Sequence, residues 1–274
     1  MTHALHQLVI LTGAGISAES GISTFRDANG LWEQHKIEEV ATPEAFYKNP
    51  KLVWKFYSLR RKQASEVKPN TAHYALAEFA KENEHQIEMH LITQNVDVLH
   101  QRADSYHRLD PICMHGSLHQ SRCSHCETIY FDDHSYISER DELKPVEGKL
   151  CNSSQKASEN YLHHYSINYT SEGLPLSPCC QKLIRPHIVW FGEVPFFMEK
   201  IERLLQKAQT FVTIGTSGSV YPAASFLQYA KLNGAKSFCI NKETIPQNQW
   251  VDEFILGNAV ERVPEFLSRY VKTL

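Results

Sequence analysis

The sequence predicts an α/β protein: a parallel sheet covered by helices on both faces and interrupted by two long insertions. Three observations predict it. Apolar runs of strand length recur, each ending at small polar residues: "LVILTGAG" from Leu8, "MHLITQN" from Met89, "ICMHGS" from Ile112, "HIVWFGE" from His187, "TFVTIGTS" from Thr210 and "KSFCINKE" from Lys236. Helical patterns such as "EKIERLLQKAQ" and "AASFLQYAKLNG" fall between several of them. Two stretches, 35–87 and 118–183, break the alternation.

Bulk properties bound the function. The chain has 274 residues, 42% hydrophobic and 22% charged, the balance of a soluble globular protein. A net charge of −3 offers no basic field for nucleic acid or anionic lipid. No apolar run approaches the roughly 20 residues of a membrane span. "MTHALHQLVILTGAG" has no basic segment before a long apolar core, so it reads as a first strand from Gln7 to Thr12 and not as a signal peptide. Seven cysteines, an odd number unevenly spread, suit a reducing compartment and a metal site better than a disulfide framework.

After the first strand comes "GAGISAESGISTFRD". Gly13 and Gly15 would let backbone approach a phosphate or ribose at a helix start. With the third glycine at Gly21, the spacing departs from GxGxxG, so a dinucleotide would lie in a different pose. The first insertion looks helical, as "LVWKFYSLRRKQASEV" and "TAHYALAEFAKEN". Within it, Tyr57 and Arg60 are three residues apart and share a helix face, as a carboxylate clamp would require or as a solvated arginine beside Arg61 would also allow. The alternating run Ile87 to Ile92 ends in "TQNVDVLHQR", where Asn95 and Asp97 either line a site at a strand end or cap the next helix. "MHGS" sets His115 after a short apolar run, a candidate general base among 15 histidines.

"CSHC" at 123–126 has the spacing of a zinc knuckle. Cys151, Cys179 and Cys180 are available for the other half, and adjacent cysteines rarely both reach one metal, so Cys123, Cys126, Cys151 and Cys180 are the expected ligands, with Cys179 as the substitute. Four thiolates leave no open position, which makes such a zinc structural. The polar tract "CNSSQKASEN" reads as a loop. "RPHIVWFGE", "GTSGSVYPAA" and "INKE" are strand-end loops rich in small residues and hydroxyls.

Taken in order, "GAGISAESGISTFRD", "TQNVDVLH", "MHGS", "CSHC", "RPHIVWFGE", "GTS" and "INKE" resemble a sirtuin, an NAD-dependent protein lysine deacylase, over nearly the whole chain from Val9 to about Leu267. "ATPEAFYKNPKLVWKFYSLRRKQ" resembles the group of bacterial deacylases and the mitochondrial desuccinylase. Three positions depart from the family pattern: Ser23 replaces a frequent proline, Val98 a frequent glycine, and Ser177 a frequent zinc cysteine.

The resemblance implies a Rossmann-like NAD-binding domain of residues 1–34, 88–117 and 184–274. Its smaller inserted domain would comprise a helical module, 35–87, and a zinc-binding module, 118–183. It implies that NAD, consumed as co-substrate, meets Gly13, Ala14, Gly15, Glu19, Thr24, Phe25, Arg26, Trp32, Gln94, Asn95, Val96, Asp97, His115, Gly215, Thr216, Ser217, Asn241, Lys242, Glu243 and Ala259. Ala14, Asn95 and Asp97 would hold the nicotinamide amide. Phe25 and Arg26 would shield the ribose from water. His115 and Asn95 would be catalytic, His115 as base for the ribose hydroxyls. The acyl oxygen of a modified lysine would attack the ribose C1′, giving free lysine, nicotinamide and O-acyl-ADP-ribose. The acyl-lysine would run between Val189 and Phe191, along Trp190, Gly192 and Glu193. Tyr57 and Arg60 match the pair that reads a distal carboxylate in the desuccinylase group, and small Ala28 would leave room for a longer acid. The expectation is therefore a desuccinylase and demalonylase with some deacetylase activity. It would be a cytoplasmic monomer holding one structural zinc, with acyl-lysine proteins or peptides as partners and no nucleic acid or membrane. An NAD glycohydrolase or mono-ADP-ribosyltransferase, and a non-catalytic NAD-binding module, are the alternatives.

Overall fold

The computed structural model describes residues 4–23, 31–32, 35–131, 135–137, 143–145, 165 and 167–273. Six strands form one sheet in the order Glu253–Leu256, Lys236–Asn241, Thr210–Ile214, His6–Thr12, Ile87–Thr93, Ile112–Cys113. Every neighbouring pair is parallel. Because strand side chains alternate between faces, Leu8 and Ile10 enter one apolar core while Val9 and Leu11 enter the other. Helices Thr71–Glu82 and Ala259–Val271 close the first face with Leu76, Phe79, Val263 and Phe266. Helices Met198–Lys207 and Phe226–Leu232 close the second with Ile201, Leu205, Phe226 and Leu227. Both faces are covered, as a parallel sheet requires.

The first strand lies at the centre, and the chain leaves it to Ile87–Thr93 on one side and returns to Thr210–Ile214 on the other. This reversal opens a crevice at the carboxyl ends of the strands. Gly13, Gln94, Gly215 and Asn241 all stand at that edge.

A second core packs the helical insertion on a small antiparallel sheet, ordered Ile184–Ile188, Gly116–Cys123, Ile129–Tyr130. The run "HIVWFGE" therefore begins in this sheet, not in the parallel one. Its strand pairs antiparallel with Gly116–Cys123, so it supplies a bridge between the two layers. The long helix Pro50–Glu66 starts where Asn49 Oδ1 accepts from the Leu52 amide at 3.0 Å and Pro50 occupies the first turn. Trp54 Nε1 donates to the Ile184 carbonyl at 2.9 Å, and Arg61, fully buried, donates to Ser121 Oγ at 3.0 Å. These bonds fix the helix roll and hence which side chains face the crevice. Among the described residues no helix is long and apolar enough to cross a membrane.

Candidate functional site

A cavity of about 560 Å³ lies between the strand ends and the small sheet. Its first wall is mostly backbone. The Gly15 amide donates to the Gly215 carbonyl at 2.8 Å, and Gly13 donates to Ile214 at 2.9 Å. Gly215 has a φ of +60°, and a Cβ there would lie 2.5 Å from the Ile16 nitrogen. The glycines of the first loop thus serve loop-to-loop contact, and the expected helix start is replaced by two short 3-10 turns, Ala14–Ile16 and Ala18–Ser20.

Asn95 and Asp97 are buried at this wall. Asn95 Nδ2 donates to the Gly13 carbonyl at 3.1 Å and to Ser17 Oγ at 3.2 Å. Asp97 Oδ1 accepts from the Leu99 amide at 3.0 Å, one residue ahead of the Val98 N-cap, and Asp97 also lines the cavity. Burial raises the Asp97 carboxyl, while bonds from Leu99 and Ser17 pull it back. Val98 begins the helix Leu99–Ala103 with φ 56°, a left-handed conformation costly for a β-branched residue; glycine is at home there. Behind the wall, Thr12 Oγ1 donates to Thr93 Oγ1 at 2.9 Å and meets His100 Nε2 at 3.0 Å. The His100 ring packs on His73, whose Nε2 lies 3.5 Å from Ser17 Oγ. Burial lowers His73 to about 4 and His100 well below the ordinary histidine value.

His115 stands at the seam between the two sheets, after Ile112–Cys113 and before Gly116–Cys123. The chain bends at Gly116, φ +88°, where a Cβ would fall 2.0 Å from the His187 carbonyl oxygen. His115 Nδ1 faces the Gln94 carbonyl at 3.1 Å. A carbonyl only accepts, so the hydrogen sits on Nδ1 and the Nε2 lone pair is the basic one. Burial lowers the His115 pKa, with partial compensation from that bond. The imidazole is therefore neutral near pH 7, as a base must be.

The opposite wall is built from side chains. Tyr57 and Arg60, both buried on one face of Pro50–Glu66, line the cavity. Arg60 stacks over the Phe56 ring at 3.4 Å and donates to the Phe56 carbonyl at 2.6 Å. The Val189 amide donates to the His115 carbonyl at 2.9 Å and the Phe191 amide to Ala41 at 3.0 Å, which hangs the loop 189–193 across the cavity. Glu193 is taken up by Arg185, at 2.6 and 2.9 Å, and by Arg122 at 2.9 Å. Burial alone would raise this carboxyl, but the arginines hold it low.

The sulfurs of Cys123, Cys126, Cys179 and Cys180 lie within 4.8 Å of one another. Four thiols so placed fit a closed tetrahedral zinc site. The expectation gave the fourth place to Cys151, which lies outside the described residues; the structure puts the substitute, Cys179, in the cluster. The adjacency argument fails because 178–180 is a turn, not a strand, so successive side chains converge, with Sγ atoms 3.6 Å apart. Ser177, fully buried, sits beneath, 2.7 Å from both Cys179 Sγ and Tyr130 Oη.

The cavity gathers Gly13, Ala14, Gly15, Gln94, Asn95, Val96, Asp97, His115, Gly215, Thr216, Ser217, Asn241, Lys242, Glu243 and Ala259, with Tyr57, Arg60, Val189, Trp190, Phe191, Gly192 and Glu193. Glu19 is not in its lining and pairs with Lys242 at 2.8 Å. Thr24, Phe25, Arg26, Ala28 and the side chain of Trp32 lie outside the described residues. Sequence reading missed Ser17, the buried hydroxyl that joins Asn95 to His73, and Gln63, Leu118 and Tyr221 in the lining. A serine in a loop of small residues carries no signal of its own; only the fold brings its partners to it.

A model described as the Sir2 family matches residues 13–222. An NAD-dependent protein deacylase of Pasteurella multocida (strain Pm70) is 42% identical over 269 residues, 97% of this chain and 98% of that protein. An NAD-dependent protein deacylase of Leishmania major is 40% identical over 97% of this chain and 96% of its own length. Among solved structures, a Sir2 homolog–NAD complex matches with a TM-score of 0.74 at 34% identity, over 97% of this chain and 90% of that one.

Proposed function

The chain belongs to the Sir2 family, and on that premise we propose that it removes acyl groups from protein lysines at the expense of NAD, preferring acyl chains that end in a carboxylate. The observation that carries the reading is one cavity lined by Asn95, Asp97 and His115 on one side and by Tyr57 and Arg60 on the other. The first set suits the ADP-ribosyl chemistry. The second suits a carboxylate, because a guanidinium binds it bidentately and a phenol adds a third donor.

NAD, when bound, supplies a ribose carbon made electrophilic by loss of nicotinamide. The chain's own residues would orient and exclude. The small-residue loops Gly13–Gly15 and Gly215–Ser217 would leave room for the phosphates and ribose and face them with the Thr216 and Ser217 hydroxyls, since the Gly13, Gly15 and Gly215 amides are already taken by neighbouring carbonyls. Asn95 Oδ1 and the Asp97 carboxyl would meet the nicotinamide amide, since Asn95 Nδ2 is already turned to Gly13 and Ser17. His115 Nε2 would take the proton of a ribose hydroxyl. The loop 189–193 would receive the substrate backbone as an added strand and lead the acyl-lysine to the seam. The four-cysteine cluster would hold one structural zinc away from the chemistry.

The same reading extends to a Rossmann-like domain of 1–34, 88–117 and 184–274 with the inserted modules 35–87 and 118–183, and to a cytoplasmic monomer. The test is turnover with NAD and matched acetyl-, malonyl- and succinyl-lysine peptides, with products weighed by mass spectrometry. Succinyl- and malonyl-ADP-ribose formed only with peptide, and faster than acetyl-ADP-ribose, is the expected result. NAD cleavage independent of peptide would instead mark a glycohydrolase.

A further inference from the structure

Tyr57 reaches the cavity with its hydroxyl already engaged on one side. Its Oη lies 2.9 Å from Trp190 Nε1, a bond between residues 133 apart in sequence. An indole N–H can only donate, so the phenol oxygen is the acceptor and its own hydrogen is directed away from the indole. Trp190 is itself held on every side. It is 2% exposed, Arg185 stacks on its ring at 3.3 Å, and Phe46 packs on it with centroids 5.5 Å apart. Its backbone amide donates to Glu193 Oε2 at 2.8 Å, and Glu193 is clamped by Arg185 and Arg122. Burial keeps the phenol protonated well beyond the ordinary tyrosine range, so it stays a donor at any working pH.

We infer that Trp190 is a positioning residue for acyl-group selection: its indole N–H occupies the acceptor side of Tyr57 and so fixes the phenol as a hydrogen-bond donor toward the carboxylate at the tip of the acyl chain. The inference rests on the proposed reading that Tyr57 and Arg60 meet that carboxylate. The lock has a chemical consequence. A hydroxyl able to rotate would accept as readily as donate and would not discriminate a charged tip from a neutral one. A hydroxyl whose acceptor side is filled favours an anion. The Arg185–Glu193–Arg122 cluster then acts at one remove, by keeping the indole in place.

The experiment measures kcat/KM on matched succinyl- and acetyl-lysine peptides for the wild type, Tyr57→Phe, Trp190→Phe and the double variant. Tyr57→Phe should lower the succinyl-to-acetyl ratio by about tenfold, the size of one hydrogen bond to a charged group. Trp190→Phe keeps an aromatic ring but removes the N–H, and should lower the ratio by about three- to tenfold. The double variant should be no lower than Tyr57→Phe alone, because both changes remove the same contact. A wild-type ratio in Trp190→Phe beside a lowered ratio in Tyr57→Phe overturns the inference and leaves the proposed function standing. Losses that multiply in the double variant also overturn it, since Trp190 would then act independently of the phenol. An unchanged ratio in Tyr57→Phe overturns both readings. Should Trp190→Phe fail to fold, Glu193→Gln reads the same ratio through the looser indole: a fall of about threefold supports the inference and an unchanged ratio overturns it.

Discussion

The wall of the cavity at the strand ends is mostly backbone; the wall facing it relies more on side chains. Gly13, Gly15 and Gly215 approach so closely that a single methyl on any of them would meet main-chain atoms within 2.8 Å. Tyr57, Arg60 and Trp190 hold their places through ring stacking and one or two hydrogen bonds each that run between side chains or to a nearby carbonyl. The difference teaches where change is tolerated. At these backbone contacts a larger residue would part the two loops. Side-chain contacts are exchangeable, which is why the proposed selection among acyl groups is assigned to that wall.

His115 stands between the two walls, and its removal should have the largest effect. His115→Ala is expected to lower kcat by about 10²–10⁴-fold on succinyl and acetyl peptides alike, with the melting temperature little changed. A loss confined to one peptide would place His115 with the selective wall. Because burial lowers its pKa, the acid limb of the rate profile should fall below 6.5, the ordinary histidine value; a limb above that value would contradict the assigned environment.

The cysteine cluster, outside the cavity lining, comes next. Cys179→Ser should release most of the zinc and destabilise the protein, since metal binding is coupled to folding. Cys151→Ser should leave zinc content unchanged. Metal analysis of the two purified variants giving the reverse order would return the fourth position to Cys151.

Gly215→Ala sharpens the contrast directly. The added Cβ meets the Ile16 nitrogen and the Gly15 backbone, neither of which can swing aside, in a conformation that disfavours alanine. A loss of at least about 2 kcal/mol is expected in a denaturant titration, with turnover falling equally on all peptides. Retained stability would show that the two loops separate easily and that the wall is softer than its geometry.

A smaller effect should come from pH. His73 and His100, behind the strand-end wall, are kept neutral by burial, His73 at about 4. The unfolded chain binds protons at both near 6.5 and the folded chain does not, so stability present above 6.5 is lost as pH falls toward the folded values. The urea midpoint should drop between pH 7 and pH 5, and His73→Gln should flatten that drop. A midpoint that His73→Gln shifts without altering its pH slope would assign the acid sensitivity elsewhere.

What the sequence made legible follows the same division. The strand-end wall could be read because each strand ends in short polar or glycine-rich words, and a parallel sheet carries all those ends to one edge. Thr12 and Thr93 even occupy the same register on adjacent strands. The contact between the two glycine loops was not legible, since a sequence shows that a side chain is missing but not what approaches the gap. On the opposite wall, helical spacing placed Tyr57 and Arg60 together, but not whether they faced water; bonds from Trp54 and Arg61 to the small sheet help to settle the roll of the helix. The Trp190–Tyr57 bond joins residues 133 apart and follows no spacing rule. Cys179 was displaced from the expected ligand set by an argument that holds in strands and fails in the turn where it sits.

The carboxylate-reading role of Arg60 is decided by the kcat/KM ratio for matched succinyl- and acetyl-lysine peptides in the wild type and Arg60→Met. Losing one partner of a desolvated charge pair costs about 2–5 kcal/mol, so Arg60→Met should cut desuccinylation by at least about tenfold, while an acetyl group offers Arg60 no charge to lose. The predicted result is a ratio above one in the wild type that falls at least about tenfold in the variant. Equal losses on both peptides would contradict that role and make Arg60 a structural residue of the helix.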